Sequence, residues 1–375
     1  MPSRLARVPL RAHFPDVSIV PLYGHAALRE RLLGAVRRGA LPASLLLHGP
    51  AGIGKQRLAL WLAQALICAN PPATREPCGR CQGCRYASAL AHPDVHWFFP
   101  RPRPRDADPT TDDVAADYRD AVAERAAAGG LYRPSSGSDG IYVATVRAIV
   151  QLASLTPAMA QRKVFIIGDA ERMVPQEGSE FAANALLKLL EEPSANTHLI
   201  LTSSEPGALL PTIRSRVVNV RAAPLADRDV EAFVTDSIVA GALRSQPGRS
   251  TAERVRAAEG APGRLFGSRE RESAVTAAER LLESALSGDR SRALRTAMAQ
   301  GSTKARGLFS DTLDELTVLL ASRARAAVGR GDQPMALAAT RAIASVEEAK
   351  TLAAGNVNPA LITATLLRDL TSALT

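Results

Sequence analysis

The stretch that decides the fold runs from Ser44 to Gln56, SLLLHGPAGIGKQ. SLLLH has the length and apolar character of a short buried strand. It leads into Gly49-Pro50-Ala51-Gly52-Ile53-Gly54-Lys55-Gln56, and a helical pattern follows to about Ala69. Strand, glycine-rich loop and helix are the context in which GxxxxGK forms a P-loop. Gly49, Gly52 and Gly54 let backbone N–H groups face phosphate oxygens, and Lys55 reaches the β/γ oxygens. The eighth position breaks the pattern. Ser or Thr there offers a hydroxyl to Mg2+, whereas Gln56 offers a carboxamide on a longer arm. Two readings stay open: a site for ATP or ADP, and a loop kept for its shape.

Further strands are expected in VHWFF (Val95–Phe99), KVFIIG (Lys163–Gly168), HLILT (His198–Thr202) and VVNV (Val217–Val220). FAANALLKLLEE (Phe181–Glu192) reads as a helix stopped by Pro193. Short apolar strands alternating with helices give a parallel α/β sheet covered on both faces. After Pro224 the strands stop, and from Asp227 the pattern is helical with a break at Gly260-Ala261-Pro262-Gly263. The expected division is an α/β P-loop domain over 1–223, a small helical domain over 224–270 and an all-α domain over 271–375. Residues 100–140 change character, with RPRPRDADPTTDD and RPSSGSDG flanking an Ala-rich centre. This reads as a surface insertion with a candidate helix over Val114–Ala128.

All four cysteines fall within one short module, Cys68, Cys78, Cys81 and Cys84. In a cytosolic chain this clustering argues for metal over disulfides. Four thiolates suit a closed, tetrahedral, structural Zn2+ site and leave no open position for catalysis. Gly79 and Gly83 permit the turns between ligands. His92 and His96 lie nearby, and His92, before Pro93 in an expected turn, needs no metal role.

An ATPase also needs a carboxylate at the end of a neighbouring strand, and usually a second to orient water. KVFIIG ends in Gly168-Asp169-Ala170-Glu171, which has no adjacent Asp-Glu pair. Asp169 is the candidate metal-side carboxylate. With Gln56, this argues against efficient hydrolysis. Thr212-Ile213-Arg214-Ser215-Arg216 precedes the VVNV strand. An Arg at such a domain edge can act as an arginine finger on a neighbour's ATP, worth roughly 10³–10⁵ in rate.

The net charge of +9 suits nucleic acid or an acidic partner. Yet the basic residues are scattered, and 41 of the 46 are Arg, as a GC-rich coding sequence would produce. No run approaches 18 apolar residues, so no membrane span is expected. The N-terminal Arg4, Arg7 and Arg11 lack the apolar stretch of a signal peptide, and a cytoplasmic chain is expected.

Taken together, the P-loop, the cysteine cluster after its helix, AHPDV (Ala91–Val95), NALLKLLEEP (Asn184–Pro193), Ser215-Arg216, GAPG (Gly260–Gly263) and NVNPALITATLLRDL near the C-terminus resemble the delta-prime subunits of bacterial DNA polymerase III. These belong to the sliding-clamp loader and are of AAA+ type. The resemblance covers nearly the whole chain outside 100–140. It implies an ATPase-like base, a helical lid and a helical collar that holds subunits in a pentameric ring. It further implies a stator placed beside tau/gamma-type motor subunits and a delta-type subunit, acting on the sliding clamp and primer-template DNA through the assembly.

In the family's Ser-Arg-Cys motif the Arg reaches the adjacent motor's ATP; carried over, it is Arg216, with Val217 in place of the Cys. Motor subunits carry an Asp-Glu pair, a P-loop hydroxyl and a lid Arg. Here Gly263 stands at about that Arg's place, with Arg264 one residue off, and Ser203 or Ser204 fills the polar sensor position. The competing readings are a working ATPase motor of the same loader and a zinc-dependent DNA-binding module.

Overall fold

The computed structural model describes residues 18–70, 76–104, 106, 108–132, 139–173, 180–245, 250–266, 269–299, 306–354 and 357–374. The N-terminal arginines, most of RPSSGSDG and Asn356 lie outside them. The chain divides into two compact units, one through Phe266 and the other over 267–375.

The first unit is built on five parallel strands: β1 (Ser44–His48), β2 (Val95–Phe98), β3 (Lys163–Ile167), β4 (Thr197–Ser203) and β5 (Val218–Arg221). Their order in the sheet is β2-β3-β4-β1-β5. Parallel neighbours need crossover connections. These are supplied by α2 (Lys55–Ile67), α3 (Gln82–Ser88), α4 (Thr111–Ala127), α5 (Val143–Ser154), α6 (Glu180–Glu191) and the short α7 (Pro211–Arg214), with α1 (Ala26–Arg37) ahead of the sheet. The central strands are covered on both faces, which is why they read as unbroken apolar runs. Leu45, Leu46, Leu47, Phe165, Ile166, Leu199, Ile200 and Leu201 are all buried.

The segment expected as a surface insertion contributes to this core. A capping box at Thr110 and Asp113 starts α4. Val114, Tyr118 and Ala121 then bury one face of it. The Tyr118 hydroxyl donates to the Phe99 carbonyl at 2.6 Å. Arg101 donates to both Asp117 oxygens at 3.0 and 2.7 Å. The Pro, Asp and Ser content that marks the flanks conceals this sparse apolar stripe.

α8 (Asp227–Thr235), α9 (Ser237–Ala242) and α10 (Thr251–Ala258) complete the first unit and share its core through Val230, Val234, Val239 and Ala258. The second unit is all helical: α11 (Arg269–Leu286), α12 (Arg290–Met298), α13 (Arg306–Gly329), α14 (Gln333–Ala354) and α15 (Pro359–Leu374). It closes around Leu281, Leu313, Leu316, Leu320, Val346, Leu366 and Leu370. No helix among the described residues is long and apolar enough to cross a membrane.

Candidate functional site

Between β1 and α2 the glycines adopt the positive φ values the sequence motif requires. Gly52 has φ 83° and Gly54 has φ 89°. A Cβ at Gly49 would lie 2.2 Å from the Ala222 carbonyl oxygen, so that position also excludes a side chain on spatial grounds. The Gly260–Gly263 segment lies on the loop. The Gly263 N–H donates to the Gly52 carbonyl at 2.9 Å, and a Cβ on Gly263 would come within 2.8 Å of Gly52 Cα. Arg264, the neighbour of the lid sensor position, pairs with Glu259 at 3.0 Å.

Lys55 is buried and turns back onto its own loop. Its Nζ donates to Gly49 O at 2.9 Å, Pro50 O at 2.8 Å and Ser204 Oγ at 2.9 Å. An ammonium has three donors, and all three are committed. Burial pushes the amine down to about 8, against the opposing pull of the Asp169 and Glu171 charges. Of the two serines expected as sensors, Ser204 bears on Lys55, while Ser203 Oγ accepts from the Glu205 N–H at 3.0 Å.

The carboxylate side is built at the end of β3. Gly168 N–H donates to Phe98 O at 2.7 Å. Asp169 follows in the left-handed region with φ 47°, its N–H donating to Thr202 Oγ1 at 3.2 Å. Glu171 is half-buried; one oxygen accepts from the Ser204 N–H at 2.9 Å, and the other is buried with no hydrogen-bond partner among the described residues. Burial and then the Asp169 charge push its carboxyl up, against Lys55.

Gln56 does not project into this group of side chains. Its Oε1 accepts from the Trp97 indole N–H at 3.0 Å. Its carboxamide packs so closely on Gly168 that a Cβ there would meet it at 2.4 to 2.7 Å. The fold brings Ser204 onto Lys55 and Glu171 onto Ser204, beside Asp169 at the end of β3. Trp97 holds Gln56 apart from them, and neither Glu171 nor Trp97 had been singled out, since only the tertiary fold carries them there.

Arg216 sits between α7 and β5, about a quarter exposed at the side chain. Its Nη1 donates to Thr212 O at 2.9 Å. Its Nε lies 3.2 Å from a Glu191 oxygen as an ion pair, without hydrogen-bond alignment. The guanidinium is therefore lightly tethered at the rim of the domain.

Cys68 caps the end of α2 and Cys81 the start of α3. The four thiol sulfurs lie within 4.8 Å of one another. Cys81 N–H donates to Cys78 Sγ and Cys84 N–H to Cys81 Sγ, both at 3.4 Å. Burial works against ionisation of Cys78, but the N–H groups of Cys81 and Arg80 outweigh it and hold the thiol down at about 6. Burial pushes Cys68 and Cys84 up. Four clustered thiols, some with backbone N–H groups aimed at sulfur, fit a tetrahedral thiolate-bound metal. His92 stands apart: its Nδ1 accepts from the Asp94 N–H at 3.0 Å.

A parallel sheet with a GxxxxGK loop opening the helix after β1, and an acidic residue after β3, defines a P-loop α/β domain. The family described as "DNA polymerase III, delta subunit" matches residues 24–226. Over 217 residues the chain is 34% identical to DNA polymerase III subunit delta' of Pseudomonas aeruginosa, covering 58% of this chain and 52% of the relative. Over 203 residues it is 30% identical to subunit gamma/tau of Mycobacterium tuberculosis, covering 54% and 28%. Among solved structures, a gamma subunit-related protein of Thermotoga maritima aligns over 92% of this chain and 99% of its own, at 16% identity and a TM-score of 0.39. The chain spans about half the length of the curated delta' relatives it matches. It belongs to the DNA polymerase III delta-subunit family, as a member of its delta-prime branch.

Proposed function

We propose that this protein is a non-motor stator of the replicative sliding-clamp loader, and that it supplies Arg216 in trans to the ATP site of a neighbouring motor subunit. The observation that carries the reading is the inward commitment of Lys55. All three of its donors go to the loop's own carbonyls and Ser204, so a γ-phosphate would have to displace one of these bonds. Gln56 supports it, since the oxygen offered in place of the usual hydroxyl is already bonded to Trp97. The absence of a second carboxylate adjacent to Asp169 removes the usual means of orienting water. Arg216 has the opposite character: it is partly exposed and held by the Thr212 carbonyl, the Ser215 hydroxyl at 3.4 Å and an ion pair with the exposed Glu191, of the kind that exchanges at little cost.

Its partners in this reading are tau/gamma-type motor subunits and a delta-type subunit in a heteropentamer. It meets the sliding clamp and primer-template DNA through that assembly. Cys68, Cys78, Cys81 and Cys84 would hold one structural Zn2+, which fixes the end of α2 to the start of α3 and supplies no chemistry. The isolated chain is expected to show no ATP hydrolysis above background. Turnover by the isolated chain that disappears in Lys55→Ala would instead identify a working motor.

A further inference from the structure

Gly168 is a glycine for reasons of space. Its φ lies outside the left-handed region that favours glycine, so its backbone would accept another residue. It still belongs to the β2–β3 ladder, its N–H donating to Phe98 O at 2.7 Å. What it cannot accept is a Cβ. That atom would stand 2.4 Å from Gln56 Oε1, 2.5 Å from Cδ and 2.7 Å from Nε2. The whole carboxamide group, and not one atom of it, therefore covers the glycine. Gln56 is in turn fixed. It is buried, and its Oε1 accepts from the buried Trp97 indole N–H at 3.0 Å. Displacing the carboxamide would strand that donor.

A hydrolytic P-loop domain holds Mg2+ from two places, the hydroxyl eighth in the loop and a carboxylate at the end of a neighbouring strand. Position 56 is the first of these. Position 168 directly follows β3, and its Cα–Cβ direction leads onto the side chain of residue 56. Side chains at 56 and 168 thus compete for one space. The acidic residue comes one place later, at Asp169, where the chain turns with φ 47°.

We infer that Gln56 and Gly168 are a complementary pair that fills the divalent-metal position of this P-loop and closes it to Mg2+ and to metal-bound nucleotide. Neither residue achieves this alone. A carboxamide at 56 would clash with a carboxylate at 168, and a hydroxyl opposite the glycine would leave a gap in a close-packed interior. The residues present do not fit a metal, and the misfit is one of volume as well as of missing ligands. The inference rests on the non-hydrolytic reading of the P-loop and gives it a physical cause.

The test uses the full-length chain. Its first part is thermal melting in EDTA of Gly168→Ala, Gln56→Ser and the two combined. Gly168→Ala is expected to melt about 3–6 °C lower than wild type, since its methyl pushes the carboxamide off Trp97. In the Gln56→Ser background the same methyl has room, and it is expected to lower the melting temperature by less than about 1 °C or to raise it. Equal losses in the two backgrounds, or no loss in the wild-type background, overturn the inference. The second part reads the metal, with a fluorescent ADP analogue titrated in EDTA and in millimolar Mg2+. The wild type is expected to behave alike in both, whether or not it binds. Gln56→Ser combined with Gly168→Asp is expected to bind at least about tenfold more tightly with Mg2+. Wild-type binding that Mg2+ strengthens, or a combined variant indifferent to Mg2+, overturns the inference. If that combined variant does not fold, the alanine series and the wild-type titration decide. ATP turnover by the isolated wild type reads the parent proposal separately. No turnover alongside equal alanine losses would leave the non-hydrolytic reading standing and remove only the exclusion of metal by this pair.

Discussion

The bond between Trp97 and Gln56 can be tested by a double-mutant cycle. Both side chains are buried, at 5% and 3% exposure, and the N–H···O distance is 3.0 Å. Trp97→Phe keeps an aromatic ring but strands the carboxamide oxygen of Gln56. Gln56→Leu keeps the approximate shape but strands the indole N–H. Each is expected to cost about 1–3 kcal/mol for the unsatisfied buried group, in addition to its packing change. Removing both partners removes both stranded groups. The double variant is therefore expected to be more stable than the sum of the single losses by about 1–2 kcal/mol. Urea unfolding followed by circular dichroism measures all four proteins; Trp61, the other tryptophan, gives a second probe in the same unit. Losses that add within about 0.5 kcal/mol would refute the reasoning. They would mean that the Gln56 oxygen is not held by Trp97 and is available to a metal.

Three further outcomes are expected. One Zn2+ per chain should be found by elemental analysis, and Cys84→Ser or a strong chelator should lower the melting temperature of the first unit sharply, because binding of this kind contributes on the order of 10 kcal/mol. A metal-free preparation with unchanged melting would contradict the site. Gly49→Ala should destabilise by about 2–4 kcal/mol, since its Cβ would lie 2.2 Å from the Ala222 carbonyl oxygen; calorimetry that finds less than about 0.5 kcal/mol would contradict the loop geometry.

The third concerns pH. His96 is stacked on Phe165, and burial, with Lys163 adding, holds its imidazole down at about 4 against an ordinary 6.5. The unfolded chain therefore takes up a proton between those values that the folded chain does not. Its contribution is complete above 6.5 and is lost as pH falls toward 4, by up to about 3 kcal/mol. His96→Gln should flatten that part of the stability–pH curve, and an unchanged slope would refute the assignment.

What was legible in the sequence was what local pattern controls. β1, β3 and β4 stood out because strands buried on both faces must be continuously apolar, and the GxxxxGK loop because its glycines answer to backbone geometry. The four cysteines were legible as a cluster because short spacings hold them together, and their sulfurs lie within 4.8 Å of one another. What escaped is tertiary. Gln56 was readable as an odd residue at a metal position, but its bond to Trp97 joins residues 41 apart in sequence. Glu171 was visible in GDAE, yet only the placement of Ser204 beside β3 shows one oxygen satisfied and the other stranded. α4 lies in a stretch whose Pro, Asp and Ser suggested a solvated insertion, because three buried positions on one helix face are too few to dominate its composition. Local sequence placed Arg216 before β5 but gave no sign of its ion pair with Glu191.

The central claim is that this chain acts on a neighbour's nucleotide and not on its own. Its most direct test is the ATP turnover of a loader reconstituted with motor and delta-type subunits, comparing wild type, Arg216→Ala and Lys55→Ala of this chain. Normal ring assembly is expected in all three, with clamp-stimulated turnover reduced by at least about 10³-fold per affected site in Arg216→Ala and unchanged in Lys55→Ala. Unchanged turnover in Arg216→Ala, with lost turnover in Lys55→Ala, would contradict the claim.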